Sequence, residues 1–392
     1  MLLAESQAST FRPGAQVKVE VLEGSNLPGW LRAPWEELRA GVAARGMTAG
    51  PFLGFDWAVV YARAFAARVG LPRIFLAWRG DRLVGVVPLV AERRSLVHAP
   101  ARILRSLSDD HSQRWDALVA DHDAAAALVA RLLADRSWDV LELRDAPALA
   151  DTGVELLAGA ARVAGCVVGE WPSQRSPVLA LPGDPEQVLD GLDAKFRANL
   201  RRRARRLAEE VGPVSLERIT DAAADREALA EAFGLEAAGW KGDEGTAVAC
   251  DPALEETYRG LAAALADHGR LALYFLKAGE RRVAMHFAAV DEGVYYLFKV
   301  GSDPALARYG LGHLLVAEVA RDLVRRGVRE LDFLGDSAEW KRSWTATERA
   351  HSWRYVFRPT LRGRALAAWK LAAVPTLKRL AEEVRRRRQM FE

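Results

Sequence analysis

An α/β chain of two domains of like topology, each a mixed and mostly antiparallel sheet flanked by helices, is the fold class this sequence predicts. Three observations lead there. The chain carries the same strand–turn–strand unit twice, as PRIFLAWRGDRLVGVVPLVA (Pro72 to Ala91) and as RLALYFLKAGERRVAMHFAAV (Arg270 to Val290). Each unit is followed by a strand, a helix and a strand in the same order. Half of the 392 residues are apolar, enough for a large core and too many for general disorder.

Set against each other, Gly80 matches Gly279, Asp81 matches Glu280, Arg82 matches Arg281 and Val84 matches Val283. Glycine beside a charged residue between two apolar runs is hairpin chemistry. In the first copy ILRSLSDDHSQRWDALVA, DAAAALVARLLADR and WDVLELRD supply the next strand, the helix and the closing strand. In the second copy these are GVYYLFKV, GHLLVAEVARDLVRR and VRELDFLGD, and Glu142 falls where Asp332 does. Self-similarity at this level is a signal about the fold. Between the copies, DAKFRANLRRRARRLAEEVGP places Phe196, Leu200 and Leu207 at helical spacing, and Gly212 and Pro213 stop the helix. The domains are expected at residues 1–180 and 181–360, followed by a basic tail at 361–392.

Composition excludes several classes. A net charge of +3 argues against a dedicated nucleic-acid binder. Two distant cysteines, Cys166 and Cys250, indicate a reducing compartment without a disulfide framework or a cysteine-based zinc site. The histidines stand singly, so no metal site is expected. No GxSxG stands out, and YGLGH is too short for a P-loop. The first 20 residues have no apolar signal region, and no run of about 18 apolar residues could span a membrane. These readings place the protein in the cytoplasm. The tail LRGRALAAWKLAAVPTLKRLAEEVRRRRQ has two readings. As a basic amphipathic helix with Trp369 it would lie on the inner face of an anionic membrane; otherwise it packs on the domain.

The two copies differ where chemistry would sit. The second has Arg308-Tyr309-Gly310-Leu311-Gly312-His313 at a helix start, where backbone N–H groups can receive an anion. The first has Asp109, Asp110 and His111 nearby and no glycine loop, so it is expected to support the fold and to wall an acceptor cleft.

From Tyr295 to Trp344 an aromatic strand, the glycine loop, an amphipathic helix and an acidic strand end follow one another. This order resembles the acyl-CoA site of GNAT-fold N-acyltransferases. The tail FLGDSAEWKRSW, the RxNLRRxxRRLxEE-G helix and the WKG stretch at Trp240 are similar to the CelD-like acetyltransferases, relatives of the FemABX transferases. The resemblance covers about residues 55–360 and is specific in the second half. It implies two tandem GNAT-like domains, with acyl-CoA as a co-substrate and no permanently bound cofactor. The family's usual loop is Q/R-x-x-G-x-G/A; here R-Y-G-L-G is one residue shorter between Arg308 and Gly310.

N-acyl transfer needs a neutral amine, a polarised thioester, donors for the oxyanion and an anchor for the CoA diphosphate. Arg308 through His313 are the expected anchor. Asp332, inward-pointing at a strand end, and His286, on the preceding hairpin, are the alternative general bases. Tyr296 or Tyr309 would protonate the leaving thiolate. Lys341 and Arg342 are implied by the resemblance to contact an anionic acceptor or the donor phosphates. Trp240 and Lys241, with Asp109 and His111, would line the acceptor cleft.

The expected protein is thus an acyl-CoA-dependent N-acyltransferase acting on an amine of a cell-envelope precursor or lipid, with long-chain, ceramide-type N-acylation compatible. Two alternatives stay open. One is a FemABX-like peptidyltransferase using aminoacyl-tRNA, with Lys195 to Arg206 as its tRNA patch. The other is a non-catalytic GNAT-like module in exopolysaccharide synthesis.

Overall fold

The computed structural model describes residues 16–44, 50–221, 226–377 and 379. Seven strands precede the middle of the chain: β1 (Val17–Glu23), β2 (Pro72–Arg79), β3 (Arg82–Leu96), β4 (Ala99–Ser106), β5 (Leu118–Val119), β6 (Val140–Pro147) and β7 (Val167–Ala180). Six follow: β8 (Val214–Ile219), β9 (Leu271–Ala278), β10 (Arg281–Asp291), β11 (Val294–Ser302), β12 (Glu330–Asp332) and β13 (Glu348–Phe357). The helices are α1 (Arg32–Ala43), α2 (Phe55–Arg68), α3 (His122–Ala134), α4 (Gly153–Val163), α5 (Ala194–Glu210), α6 (Arg226–Ala237), α7 (Trp240–Asp243), α8 (Pro252–Ala266), α9 (Leu311–Arg325), α10 (Glu339–Arg342) and α11 (Leu361–Ala368).

The duplicated units form as the sequence predicts. The β2–β3 hairpin closes with Arg79 opposite Arg82, and β9–β10 with Ala278 opposite Arg281. Gly80 and Gly279 both turn at φ +60, a conformation that L side chains rarely adopt. After each hairpin the chain runs antiparallel, crosses through a helix and returns parallel. Arg105 of β4 stands opposite Glu142 of β6, and Tyr296 of β11 opposite Asp332 of β12. Glu142 and Asp332 therefore occupy matching positions, both buried.

The halves do not close separately. The strand order is β1-β2-β3-β4-β6-β13-β7-β12-β11-β10-β9-β8, with β5 beside β3. Strand β13, late in the chain, pairs with β6 of the first half, with Tyr355 opposite Glu142. Strand β7, from the first half, pairs with β12 of the second, with Val178 opposite Asp332. The two exchanged strands also pair with each other, so neither half of the sheet is built from one continuous stretch of chain.

One face of the sheet carries a core common to both halves. Trp35, Phe52, Trp57 and Tyr61 of the first half meet Phe233, Tyr258, Phe287 and Phe298 of the second. Helices α2 and α8 pack against each other across this face. On the other face, α9 covers the second half and α3 with α4 the first.

The described part of the tail packs on the fold. Leu366 and Ala367 join Tyr355 and Phe357 in a small core, and Leu371 packs against it. The Trp369 indole N–H donates to the Val97 carbonyl at 2.8 Å, and Arg362 reaches Asp139 at 3.0 Å. Of the apolar residues that would meet a membrane, Leu361 and Leu377 are exposed. Lys378 and residues 380–392 lie outside the described residues. Among the described residues no helix is long and apolar enough to cross a membrane.

Candidate active site

Helix α9 differs from most of its neighbours at its start. Asp121 caps α3, Thr152 caps α4, Asp193 caps α5 and Asp251 caps α8, each through a side-chain oxygen that accepts first-turn N–H groups. Helix α9 has Gly310 at this position, at φ 62 and ψ 46, and no side-chain cap. The His313 N–H bonds back to the Gly310 carbonyl at 3.0 Å, and no side chain of the cap competes with an anion for the turn before it. A side chain at Gly310 would be strained, and its Cβ would stand 2.6 Å from the Arg203 guanidinium.

A pocket of about 170 Å³ opens at this helix start. Met285 and His286 of β10, Val300 to Ser302 of β11, Leu235 and Glu236 of α6, Gly312 and Trp340 line it. Gly301 is needed here, because a Cβ would lie 2.5 Å from the Glu236 backbone nitrogen. The corresponding space in the first half is closed. Val86 stands six residues beyond its hairpin glycine, as Met285 does, and the space beside it is walled by Trp35, Trp57 and Trp115, leaving about 10 Å³. At the equivalent helix start the Asp121 carboxylate fills the anion's place and is held by Arg79 at 2.9 Å. The first half thus supplies its own anion at this helix start, where the second half has glycine.

The expected anchor residues divide. Leu311 and Gly312 form the first turn of α9, and Gly312 is exposed at the pocket. His313 is fixed, with Nδ1 accepting from the Trp344 indole N–H at 3.1 Å and Phe196 edge-on at 5.1 Å. Burial, then the nearby Arg203 charge, lowers its pKa. Tyr309 is buried and donates to Glu210 at 2.5 Å, while Arg308 reaches Tyr309 at 2.6 Å and Glu210 at 3.3 Å. Arg308 is thereby tied to the end of α5, and Arg203 of the same helix is the cation against the loop. Only the run of arginines in α5 could have pointed to Arg203.

The proposed bases are placed differently from one another. Asp332 is fully buried against Arg114, with Arg349 at 2.9 Å and the Leu334 N–H at 2.9 Å. These partners come from the first half, from the exchanged strand and from its own turn, which makes it an ion-paired anchor between segments. It does not line the pocket. His286 does, with Tyr295 at 3.3 Å from its Nδ1. Burial pushes its pKa down to about 3, so it is neutral at physiological pH and a poor proton acceptor. Tyr296 is buried against Phe52, and burial raises its pKa. It too lies outside the pocket lining.

The expected acceptor contacts also changed place. Lys341 donates to the carbonyls of Leu334 at 2.5 Å and Asp336 at 2.9 Å, and Arg342 to that of Ser337 at 2.8 Å. Both hold the turn after β12. Asp109 accepts from the His111 N–H at 2.9 Å, and His111 Nδ1 lies 3.2 Å from Lys299 and 3.5 Å from the Tyr258 hydroxyl. Lys299 in turn pairs with Glu236 at 3.3 Å. Asp109 and His111 thus stand one layer behind the pocket wall. Glu236, Lys299 and Tyr258 were missed in the sequence. The side chains of Trp240 and Lys241 lie outside the described residues. Among the described residues no cluster of three or more His, Cys, Asp or Glu side chains could hold a metal.

The buried histidines give a pH dependence. His351 of β13 is also pushed down to about 3, by burial first and then by Arg114 and Arg349. Both imidazoles stay neutral when folded but protonate near their ordinary value of 6.5 when unfolded. The unfolded state then binds more protons, so their contribution is complete above that value and is lost as pH falls through it toward 3. From about pH 6.5 to about pH 5 each should cost roughly 2 kcal/mol. Urea unfolding at the two pH values checks this, with His286→Gln expected to flatten the dependence. An unchanged slope in that variant would assign the acid sensitivity to other groups.

Residues 194–342 match the model of the acetyltransferase (GNAT) domain family. No curated protein sequence matches the chain. The solved structure of FemX is similar with a TM-score of 0.56 at 12% identity, over 90% of this chain and 99% of that one. The C-terminal domain of a protein described as a lysylphosphatidylglycerol synthetase, from Agrobacterium fabrum, gives 0.51 at 11% identity, over 86% and 95%. A protein of unknown function from Bacteroides thetaiotaomicron gives 0.51 at 12% identity, over 83% and 97%. These likenesses show the fold. The domain match covers the segment that holds α9 and its pocket, so residues 194–342 carry a GNAT-type N-acyltransferase domain.

Proposed function

We propose that the protein transfers an acyl group from acyl-CoA to an amine of a cell-envelope precursor or lipid, as a CelD-like enzyme. The observation that carries this reading is the uncapped start of α9 opening into the pocket of about 170 Å³. The CoA diphosphate lies on the first turn of α9, with Arg203 adding charge. The thioester extends along the ends of β10 and β11. The acceptor amine enters the same pocket, beside Gly301 and Ser302 of β11. Its nitrogen attacks the carbonyl carbon, the C–S bond breaks and the sulfur leaves with a proton. The donor half is residues 181–360, and residues 1–180 support it and wall the acceptor side.

A lipid acceptor fits one fold relative, the C-terminal domain of a protein described as a lysylphosphatidylglycerol synthetase. The enzyme would work in the cytoplasm. Since the tail's apolar residues are mostly packed, contact with the inner membrane face would rest on exposed basic side chains such as Arg364 and Arg379.

Thermal shift with CoA, acetyl-CoA and palmitoyl-CoA tests the donor. Ligand at a hundred times Kd should stabilise the protein by about 2.7 kcal/mol. The second reading, an aminoacyl-tRNA donor, is favoured by the exposed Arg201, Arg202, Arg205 and Arg206 on α5. Stabilisation by none of the CoA compounds, with retardation of aminoacyl-tRNA in gels, would replace the first reading by the second.

A further inference from the structure

We infer that the chamber enclosed by α2, α8 and the end of β4 is a second binding site, which takes a small zwitterion of the α-amino-acid class with an apolar side chain. It shares no lining residue with the donor pocket. The inference therefore stands apart from the acyltransferase reading.

The chamber holds about 270 Å³, far above the roughly 10–15 Å³ that one water needs. Its walls carry one cation and one anion well inside the fold, Arg105 of β4 and Asp109 of the turn that follows. Arg105 is 6% exposed. Its Nε donates to Glu92 at 2.8 Å and its Nη1 to the Ser108 carbonyl at 2.6 Å. Asp109 Oδ1 accepts from the N–H groups of His111 at 2.9 Å and Ser112 at 3.2 Å. Among the described residues, Arg105 Nη2 and Asp109 Oδ2 have no hydrogen-bond partner, and neither atom is sealed from solvent. Both belong to residues that line the chamber, and that is where their open sides turn. A guanidinium this deeply buried is unfavourable with an unmet N–H, so the site calls for an anion at this end. Burial and then the Arg144 charge lower the Arg105 pKa, which adds to that demand.

Between the two charges lies an apolar floor. Tyr61 and Phe65 of α2 have ring centroids 6.0 Å apart. The Tyr61 hydroxyl is 3.4 Å from Asp109, and the Arg105 guanidinium stands 5.0 Å from the Phe65 centroid. Leu254 of α8 adds to this surface. A ligand with a single charge would leave the opposite wall unmet. An α-amino acid carries a carboxylate and an ammonium together at neutral pH. Its carboxylate accepts from Arg105 Nη2, its ammonium donates to Asp109 Oδ2, and an apolar side chain lies over the rings. Arg68 and Val69, both exposed, line the way in.

Three probes of one shape test both ends of the site: L-leucine, isocaproate, which lacks the ammonium, and isoamylamine, which lacks the carboxylate. Calorimetry and ligand-observed NMR on the full chain measure each. L-Leucine is expected to bind at least about tenfold more tightly than either of the others, the worth of one charged hydrogen bond. Asp109→Asn keeps the Oδ1 acceptor for its turn and removes the charge. It should weaken L-leucine by about tenfold to a hundredfold and leave isocaproate unchanged. Arg105 also holds Glu92 and Ser108, so a variant there could disturb the fold. Ala64→Leu avoids this, because Ala64 is a half-buried position of α2 on the chamber wall and every polar group stays in place. That variant should fill the chamber and abolish L-leucine binding, with circular dichroism confirming the fold. Absence of L-leucine binding in the parent, equal affinity for the three probes, or unchanged L-leucine affinity in Asp109→Asn or Ala64→Leu overturns the site. CoA affinity, read on the same samples, bears on the donor reading alone.

Discussion

Replacing Asp332 by alanine is expected to cost about 3–5 kcal/mol of stability, the usual price of breaking a buried ion pair from one side. Asp332 is fully buried and Arg114, its neighbour from the first half, is 1% exposed. The Nε and Nη1 atoms of Arg114 have no hydrogen-bond partner, so this guanidinium depends on the Asp332 charge. Arg349, from the exchanged strand β13, leans on the same carboxylate and also reaches Glu330 at 3.0 Å. Removing the carboxylate leaves two cations facing one another at the junction of β12, β7 and β13. Urea unfolding followed by circular dichroism measures the loss. The double variant Asp332→Leu/Arg114→Met should recover a large part of it, because an apolar pair of similar size can replace a buried ion pair at little cost. A stable Asp332→Ala protein that has lost only turnover would return Asp332 to the role of general base.

The second large effect is on donor binding. Gly312→Asp is expected to weaken CoA by about a hundredfold or more, since it replaces charge-assisted hydrogen bonds of roughly 1.5–3 kcal/mol each by repulsion. Gly312 is the clean position for this. It lies in the first turn of α9, lines the pocket, and a Cβ there meets nothing within 4 Å. An acid in the first turn of a helix is if anything stabilising, so the melting temperature should not fall. Gly310 is the poorer site, because its φ of +62 and the Arg203 contact would mix strain with electrostatics. Calorimetry with CoA gives the answer, and unchanged affinity in Gly312→Asp would put the diphosphate elsewhere.

Signals that are local in the chain were legible. Gly80 and Gly279 announce their hairpins because a two-residue turn demands backbone that glycine supplies. The loop before α9 announces itself by what it lacks, a side chain able to cap the helix. Even the match of Glu142 with Asp332 could be read, since it follows from counting along two copies of one unit. Asp109 and His111 were expected to line the acceptor cleft, and their place one layer behind the pocket wall could not be read from the chain.

The order of elements, the duplicated unit and the glycine at the start of α9 were thus legible in the chain. Periodicity and turn chemistry act over a few residues, and one chain suffices to show them. The tertiary fold alone reveals the exchange of β7 and β13, because a strand's sequence states that it pairs and not with which partner. It alone set Arg114 and Arg349 on Asp332, buried His286 until it could hardly take a proton, and joined Glu236, Lys299 and His111 into one line. His111 and Lys299 are 188 residues apart in sequence. Charge and burial act through space, so their chemistry appears only when the fold brings them within about 3 Å.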